Sequence, residues 1–249
     1  MRAMILAAGL GTRLKPFTNH HPKALALVNG KTLLQRNVEY LQGYDIHEVV
    51  VNVHHFSDQI IRAVQENNGW GSEITISDET SEVLETGGGV LFAADYFKKE
   101  AAWLVMNADI LTTLPLDKMI AADNLLSVGS ENYIGTLAVT NRSTSRNLLF
   151  NQKGVLIGWK NNTTLEEKWA IAKTSFNDAN NIVPKAFSGI QIIHAPFFTA
   201  LQLQGKFSLI DAYLQIAATN TIGYYDHSDS ILMDVGKPEN LEKAATLFP

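Results

Sequence analysis

The chain has 249 residues, 46% hydrophobic and 18% charged, which supplies a substantial core and is too apolar for a disordered segment. Twenty Lys and Arg against twenty-five Asp and Glu give a net charge of -5, the wrong sign for a protein that binds nucleic acid by neutralising phosphates. With no cysteine, disulfides, zinc–thiolate sites, iron–sulfur clusters and cysteine nucleophiles are excluded.

Ala3–Ala8 is a short unbroken apolar run closed by glycine and predicts a buried strand. Leu33, Leu34, Val38 and Leu41 fall at helical spacing, so a helix is expected over Thr32–Leu41. Glu48–Val53 is β-branched and reads as a strand; Ser57–Gln65 reads as a helix with Ser57 as N-cap. Strands over Glu73–Ser77 and Trp103–Met106 flank a helix over Thr86–Phe97 that opens on three glycines. A helix over Leu116–Ala122 follows Pro115, and Ile134–Val139 is the next strand. Strand alternating with helix predicts an α/β fold, a mostly parallel central sheet with helices on both faces.

The second half is less regular. Asn147–Phe150 and Val155–Trp159 predict a hairpin, and the polar stretch Asn161–Pro184 an extended loop or lid holding a short helix. Phe187–Ile193 reads as a strand, Ser208–Ala218 as an amphipathic helix, Thr221–Asp226 as a strand and Pro238–Leu247 as a terminal helix. No repeat or linker interrupts the chain, so one domain over 1–249 is expected. No apolar run reaches the roughly 18 residues of a membrane span. The apolar start Met1–Ala8 runs into Gly9 without a cleavage pattern, so a cytoplasmic protein with no membrane partner is expected. Nothing in the sequence sets an oligomeric state.

The most informative segment is Leu6-Ala-Ala-Gly9-Leu-Gly11-Thr-Arg13-Leu-Lys15, continuing to Pro22-Lys23. It follows the first strand, at the sheet edge where open α/β folds bind ligands. Gly9 and Gly11 let backbone N–H groups turn toward an anion. Arg13, Lys15 and Lys23 add three cations on an otherwise acidic protein, which describes a polyphosphate site. The dinucleotide pattern G-x-G-x-x-G fails at Leu14, and Gly30-Lys-Thr32 lacks the glycine that a Walker loop needs at Leu25. The sequons at Asn141, Asn161 and Asn162 carry no weight without an export signal.

This segment resembles the signature of the nucleoside-diphosphate-sugar pyrophosphorylases, or sugar-1-phosphate nucleotidyltransferases. The resemblance extends through Leu84-Glu-Thr-Gly-Gly-Gly89, Met106-Asn-Ala-Asp109, Phe187-Ser-Gly189 and Met233-Asp-Val-Gly236. It implies a Rossmann-like fold of the nucleotide-diphospho-sugar transferase type, with residues 1–110 as the nucleotide half and 111–249 as the sugar half. It also implies that a nucleoside triphosphate and a sugar-1-phosphate react to give a nucleotide sugar and pyrophosphate. The nucleophile is already an anion, so positioning and charge stabilisation supply the catalysis and no general base is needed.

By the same resemblance, Arg13 holds the β- and γ-phosphates and Lys23 sits near the α-phosphate. Leu6, Ala7, Ala8, Gly9, Gly11, Thr12, Arg13 and Gly88 bind the nucleotide, with Gly88 against the base. Glu85, Asn107 and Gly189 face sugar hydroxyls or the pyranose. Asp109 and Asp234 correspond to the metal carboxylates, with Mg²⁺ as the cofactor. Three glycines in a row lower helix propensity, so a base contact rather than packing is expected for most of Gly87–Gly89.

Some positions depart from the family pattern. Ala108 stands where glycine is common, Met233 replaces an aromatic and Lys237 replaces threonine. Lys160 is a candidate for the lysine that grips the sugar phosphate in larger members, and Lys15 for a further phosphate contact. No C-terminal β-helix, and no fused acetyltransferase built on one, is expected. Within the family the residues are most like the members that transfer uridylyl groups to N-acetylmuramate-1-phosphate in cell-wall recycling. Guanylyl transfer to mannose-1-phosphate is the alternative. Arg142 and Arg146 are candidates for a lactyl carboxylate, with surface arginines as the plainer reading. Two other classes compete: a glycosyltransferase using Asn107-Ala-Asp109 as its metal site, and a non-catalytic nucleotide-sugar sensor.

Overall fold

The computed structural model describes residues 1–130, 132–171 and 182–249. The strands are β1 (Ala3–Leu6), β2 (Leu27–Val28), β3 (Lys31–Thr32), β4 (Glu48–Val53), β5 (Glu73–Asp78), β6 (Ala102–Asn107), β7 (Ile110–Thr112), β8 (Tyr133–Thr140), β9 (Arg146–Phe150), β10 (Leu156–Asn161), β11 (Glu167–Trp169), β12 (Val183–His194), β13 (Thr221–Asp226) and β14 (Leu232–Asp234). The helices are α1 (Leu33–Gln42), α2 (Ser57–Glu66), α3 (Glu85–Phe92), α4 (Leu116–Val128), α5 (Pro196–Ala200), α6 (Leu209–Ile216) and α7 (Pro238–Leu247).

The architecture is the α/β type expected. The central path runs β5-β4-β1-β6-β12-β8-β13. Strands β5, β4, β1 and β6 are mutually parallel, and β13 is parallel to β8. Strand β12 runs antiparallel to both β6 and β8. Its first residues pair instead with β9, from which the hairpin partner β10 and then β11 continue the sheet.

Alternation along the buried strands sends successive side chains to opposite faces. Ala3 and Ile5 join Val49, Val51 and Met106 against Leu34 and Val38 of α1, Ile60 of α2 and Met119 of α4. Met4 and Leu6 join Val50 and Val105 against Val90 of α3, Tyr213 and Ile216 of α6 and Phe150 of the hairpin. Covering both faces explains why these strands read as unbroken apolar runs. A third cluster joins Leu14, Val28, Leu33, Leu111, Val235 and Ala244, and so ties the glycine-rich loop to the last fifty residues. Among the described residues, no helix is long and apolar enough to cross a membrane.

Several local expectations change. Helix α2 begins at Ser57 but is entered through Phe56 in the left-handed region (φ 57°), and no side chain caps it. Ser57 is therefore its first residue, not its cap. Helix α3 ends at Phe92, and Ala94–Phe97 is a separate 3-10 turn. The polar stretch after Asn161 holds strand β11, while its residues 172–181, with the lid expected there, lie outside the described residues. The ribbon pairs β14, the strand that ends at Asp234, with β7, and β7 was not legible because it has only three residues.

Candidate active site

A cavity of about 520 Å³ opens at the carboxyl ends of β1, β4, β5 and β6. It is lined by Leu6–Thr12, Lys23, Ala24, Asn52, His54, Glu79, Val83–Thr86, Asn107–Asp109 and Lys206. Of the residues proposed from sequence, Leu6, Ala7, Ala8, Gly9, Gly11, Thr12, Lys23, Glu85, Asn107 and Asp109 share this one wall. Arg13, Asp234, Gly88 and Gly189 do not line it.

The glycine-rich loop is folded by short 3-10 turns at Thr12–Leu14, Phe17–Asn19 and Lys23–Leu25. Thr18 Oγ1 donates to the Gly11 carbonyl at 2.9 Å, and the Leu14 amide donates to the same oxygen at 2.9 Å. Gly11 has φ +61°, and a Cβ there would stand 2.9 Å from Lys23 Cβ and from Thr18 Cγ2. Glycine is needed here for both conformation and space. The turn carries Lys23 back to the strand end, where its ammonium pairs with the Asp109 carboxylate. Both side chains are largely buried. At Gly9 a Cβ would meet no protein atom within 4 Å, so that backbone stands open to an incoming group.

Asp109 and Asp234, far apart in sequence, are brought together by the ribbon. Asp234 pairs in register with Ile110, and the Val235 amide donates to the Asp109 carbonyl at 2.8 Å. Asp234 Oδ1 is buried without a partner among the described residues, and its Oδ2 lies 3.9 Å from Arg13 Nη2. A Cβ at Gly236 would come within 2.6 Å of Asp234 Oδ1 and 3.0 Å of Arg13 Nη2, so this glycine leaves room for both. The third apolar cluster is the cause of the convergence. Leu14 beside Arg13, Leu111 near Asp109 and Val235 beside Asp234 are all buried in it.

The α3 glycines correct the expectation made for them. The Gly87 and Gly88 amides donate to the Phe207 carbonyl at 2.9 and 3.2 Å, so those first-turn donors are already used. A Cβ at Gly87 would lie 2.5 Å from the Phe207 ring, and one at Gly88 only 2.3 Å from the Gly205 carbonyl. One at Gly89 would lie 2.7 Å from Glu79 Oε1. Close packing is therefore a requirement at all three, not at one, and Gly88 is not among the residues that line the cavity. Gly189 (φ +75°) is likewise packed on Asn107, whose Nδ2 a Cβ would approach to 2.7 Å. It makes room for Asn107 at the cavity wall rather than lining the cavity itself.

The remaining candidates lie elsewhere. Lys15 is exposed and off the cavity wall. Arg142 donates to the Phe187 carbonyl at 3.0 Å, Arg146 is exposed at the start of β9, and Lys160 pairs with Glu167 at 3.3 Å. None of these lines the cavity. The lining residues that were missed include Asn52, His54, Glu79 and Lys206. Asn52 had a signal, a single amide inside the apolar run Val49–Val53. Lys206 stands 3.9 Å from Glu85 across the mouth. Burial holds the Glu79 carboxyl above the ordinary carboxylate range, outweighing the bond donated by Asn52.

Residues 2–143 match the family model described as nucleotidyl transferase. The chain is 32% identical over 241 residues to the N-acetylmuramate alpha-1-phosphate uridylyltransferase of Caulobacter vibrioides, covering 95% of this chain and 92% of that one. It is 24% identical over 250 residues to the mannose-1-phosphate guanyltransferase of Schizosaccharomyces pombe, covering 100% of this chain but 64% of that longer protein. The crystal structure of HddC from Yersinia pseudotuberculosis complexed with GMP-PN superposes with a TM-score of 0.74 at 23% identity, covering 100% of this chain and 99% of that one, which shows the shared fold. On the extent of the family match and of the Caulobacter alignment, the chain belongs to the nucleotidyl transferase family, in its sugar-1-phosphate nucleotidyltransferase branch.

Proposed function

We propose that the protein transfers a uridylyl group from UTP to N-acetylmuramate-1-phosphate or a related hexose-1-phosphate, releasing pyrophosphate, as a step of cell-wall recycling. The observation that carries this reading is the convergence at one end of the cavity. The Lys23–Asp109 pair lies there beside the open backbone of Gly9–Thr12, and the ribbon and the third apolar cluster hold the Arg13–Asp234 pair next to it, outside the cavity lining. Two polyanions repel, and bringing them together requires fixed positive charge. Arg13 and Lys23 supply it, with the loop amides as further donors to phosphate oxygens.

The attacking oxygen belongs to a sugar phosphate and carries its own charge, so positioning is the chain's main task. Lys23 stands where the α-phosphate is attacked, and Arg13, further out, steadies the departing pyrophosphate. Asn107 and Glu85 are placed for sugar or ribose hydroxyls. The whole chain acts as one unit in this reading. Residues 1–110 build most of the cavity, and the later half contributes Lys206 to its lining and Asp234 beside Arg13, off that lining.

The donor set fits Mg²⁺. Asp109, in the turn just before β7, and Asp234, at the end of β14, are hard oxygen ligands at one end of the ribbon, and Asp234 Oδ1, unpartnered among the described residues, supports a cation there. Among the described residues no group of three or more such ligands occurs, which suits an ion completed by phosphate oxygens and water. When bound, Mg²⁺ would neutralise charge on the phosphates.

Guanylyl transfer to mannose-1-phosphate is the second reading, favoured by the alignment with the Schizosaccharomyces pombe guanyltransferase along the whole of this chain. Pyrophosphate release, measured with Mg²⁺, each nucleoside triphosphate and a panel of sugar-1-phosphates, tests both. The expected result is release requiring both substrates, fastest with UTP and N-acetylmuramate-1-phosphate. A GTP and mannose-1-phosphate preference selects the second reading. Sugar transfer without pyrophosphate, or binding without turnover, contradicts both.

A further inference from the structure

Beneath the Ala7–Ala8 backbone lies a buried polar pair that the reaction does not itself require. Asn52, at the end of β4, accepts the Ala7 amide on Oδ1 at 2.7 Å and donates from Nδ2 to Glu79 Oε1 at 2.9 Å. Both residues are 2% exposed, yet both border the cavity. Glu79 follows β5; its amide donates to the Val53 carbonyl at 2.8 Å, and its own carbonyl lies 2.8 Å from His54 Nδ1. Helix α3 closes on the pair through Gly89, where a Cβ would stand 2.8 Å from Asn52 Nδ2 and 2.7 Å from Glu79 Oε1. One amide side chain therefore links the ends of β1, β4 and β5 under the helix.

The position of this link decides what it can affect. Lys23 stands with Gly9–Thr12 at one end of the cavity, with Arg13 next in the chain; Lys206 at the mouth is paired with Glu85, and none of Asn52, His54 and Glu79 is a lysine or arginine. A triphosphate belongs at the first end, so its nucleoside belongs on the side of Asn52, His54 and Glu79. This assignment rests on the proposed nucleotidyl transfer. We infer that Asn52, braced by Glu79, is a positioning residue for the nucleoside: it fixes the Ala7–Ala8 backbone that the base and ribose rest against. Without Asn52 the Ala7 amide is a buried donor with no partner, and the strand end is free to turn.

The test compares two probes on the intact chain, Mg²⁺ with UTP or GTP and Mg²⁺ with inorganic pyrophosphate, by calorimetric titration. Asn52→Leu is expected to weaken nucleotide binding about tenfold or more, the size of one lost buried hydrogen bond, with pyrophosphate binding within twofold of the parent. Asn52→Asp, which keeps the acceptor for Ala7 and guards against a failure of the leucine variant to fold, is expected to show the same split at smaller size. Glu79→Ala should show it too, and Glu79→Gln should restore nucleotide binding, since Gln still accepts from Asn52. A merely structural role would lower both affinities together, and that outcome, or unchanged nucleotide binding, overturns the inference. A parent chain that binds pyrophosphate but neither nucleotide overturns the proposed function and this inference with it. That result is distinct from a parent that binds nucleotide and Asn52 variants that bind it equally well.

Discussion

The two ends of the cavity are built on opposite principles. At the end proposed for the phosphates, Arg13 is 61% exposed on its loop, Lys23 and Asp109 are largely buried but paired with each other, and the scaffold is a patch of aliphatic side chains around Leu14, Leu111 and Val235. At the other end the polar groups are themselves the scaffold, with Asn52 and Glu79 buried and three consecutive glycines pressed against their neighbours. Charge that must meet a solvated polyanion has to stay near water, because burying an unpaired ion is costly. Groups that only hold backbone in place work best when water cannot compete for their hydrogen bonds. Substitutions should therefore harm turnover at one end and stability or nucleotide affinity at the other.

The largest expected effect is at Arg13. Arg13→Ala should lower kcat by about 10²–10³-fold, the range for removing one preorganised donor from a developing charge. Its exposure means the melting temperature should barely move, and a variant with normal steady-state turnover would remove Arg13 from the mechanism.

A pair of glycine variants divides the two ends next. Gly88→Ala forces a Cβ against the Gly205 carbonyl and should destabilise the fold by about 1–3 kcal/mol, seen as a lower denaturant midpoint. Gly9→Ala meets no protein atom, so it should leave that midpoint in place and raise KM for the nucleotide. The reverse pattern would mean that the two glycines have been assigned to the wrong tasks.

A smaller, pH-dependent effect is expected at Glu79. Its folded-state pKa is raised, so the protonated form favours folding. That contribution is complete below the ordinary carboxylate range and is lost as pH rises through the folded-state value. Glu79→Gln resembles the protonated acid and should gain melting temperature over the parent as pH rises above the ordinary carboxylate range. Parallel curves would show that Glu79 does not titrate above that range. Smallest of all, Lys160→Ala and Arg146→Ala, outside the cavity wall, should change kcat/KM less than twofold; a loss beyond tenfold would extend the sugar site to the hairpin.

Much of the fold and the charged end was legible from sequence, and for a physical reason. Parallel strands covered on both faces must be apolar throughout, so β1, β4 and β8 stood out. Phosphate chemistry needs glycine, arginine and lysine in a tight order, so Gly11, Arg13 and Lys23 stood out as well. The packing of Gly87–Gly89 was not legible, because three glycines look alike whether they face a ligand or a neighbouring carbonyl. Only the position of Phe207 and Gly205 against α3 decides between these, and that contact spans more than a hundred residues. Asn52 and Glu79 were passed over for a similar reason. A lone amide in a strand and an acid after it carry no motif until the sheet sets them side by side.

The central claim is that Asp109 and Asp234 act together on one cation beside one triphosphate. The direct measurement is pyrophosphate release as a function of Mg²⁺ concentration for Asp109→Asn, Asp234→Asn and the double variant. The account predicts that each single change raises the Mg²⁺ requirement at least tenfold and that the double change adds much less than the product of the two, as for residues acting as a unit. Mg²⁺ curves that match the parent for either single variant, or effects that multiply independently, would contradict it.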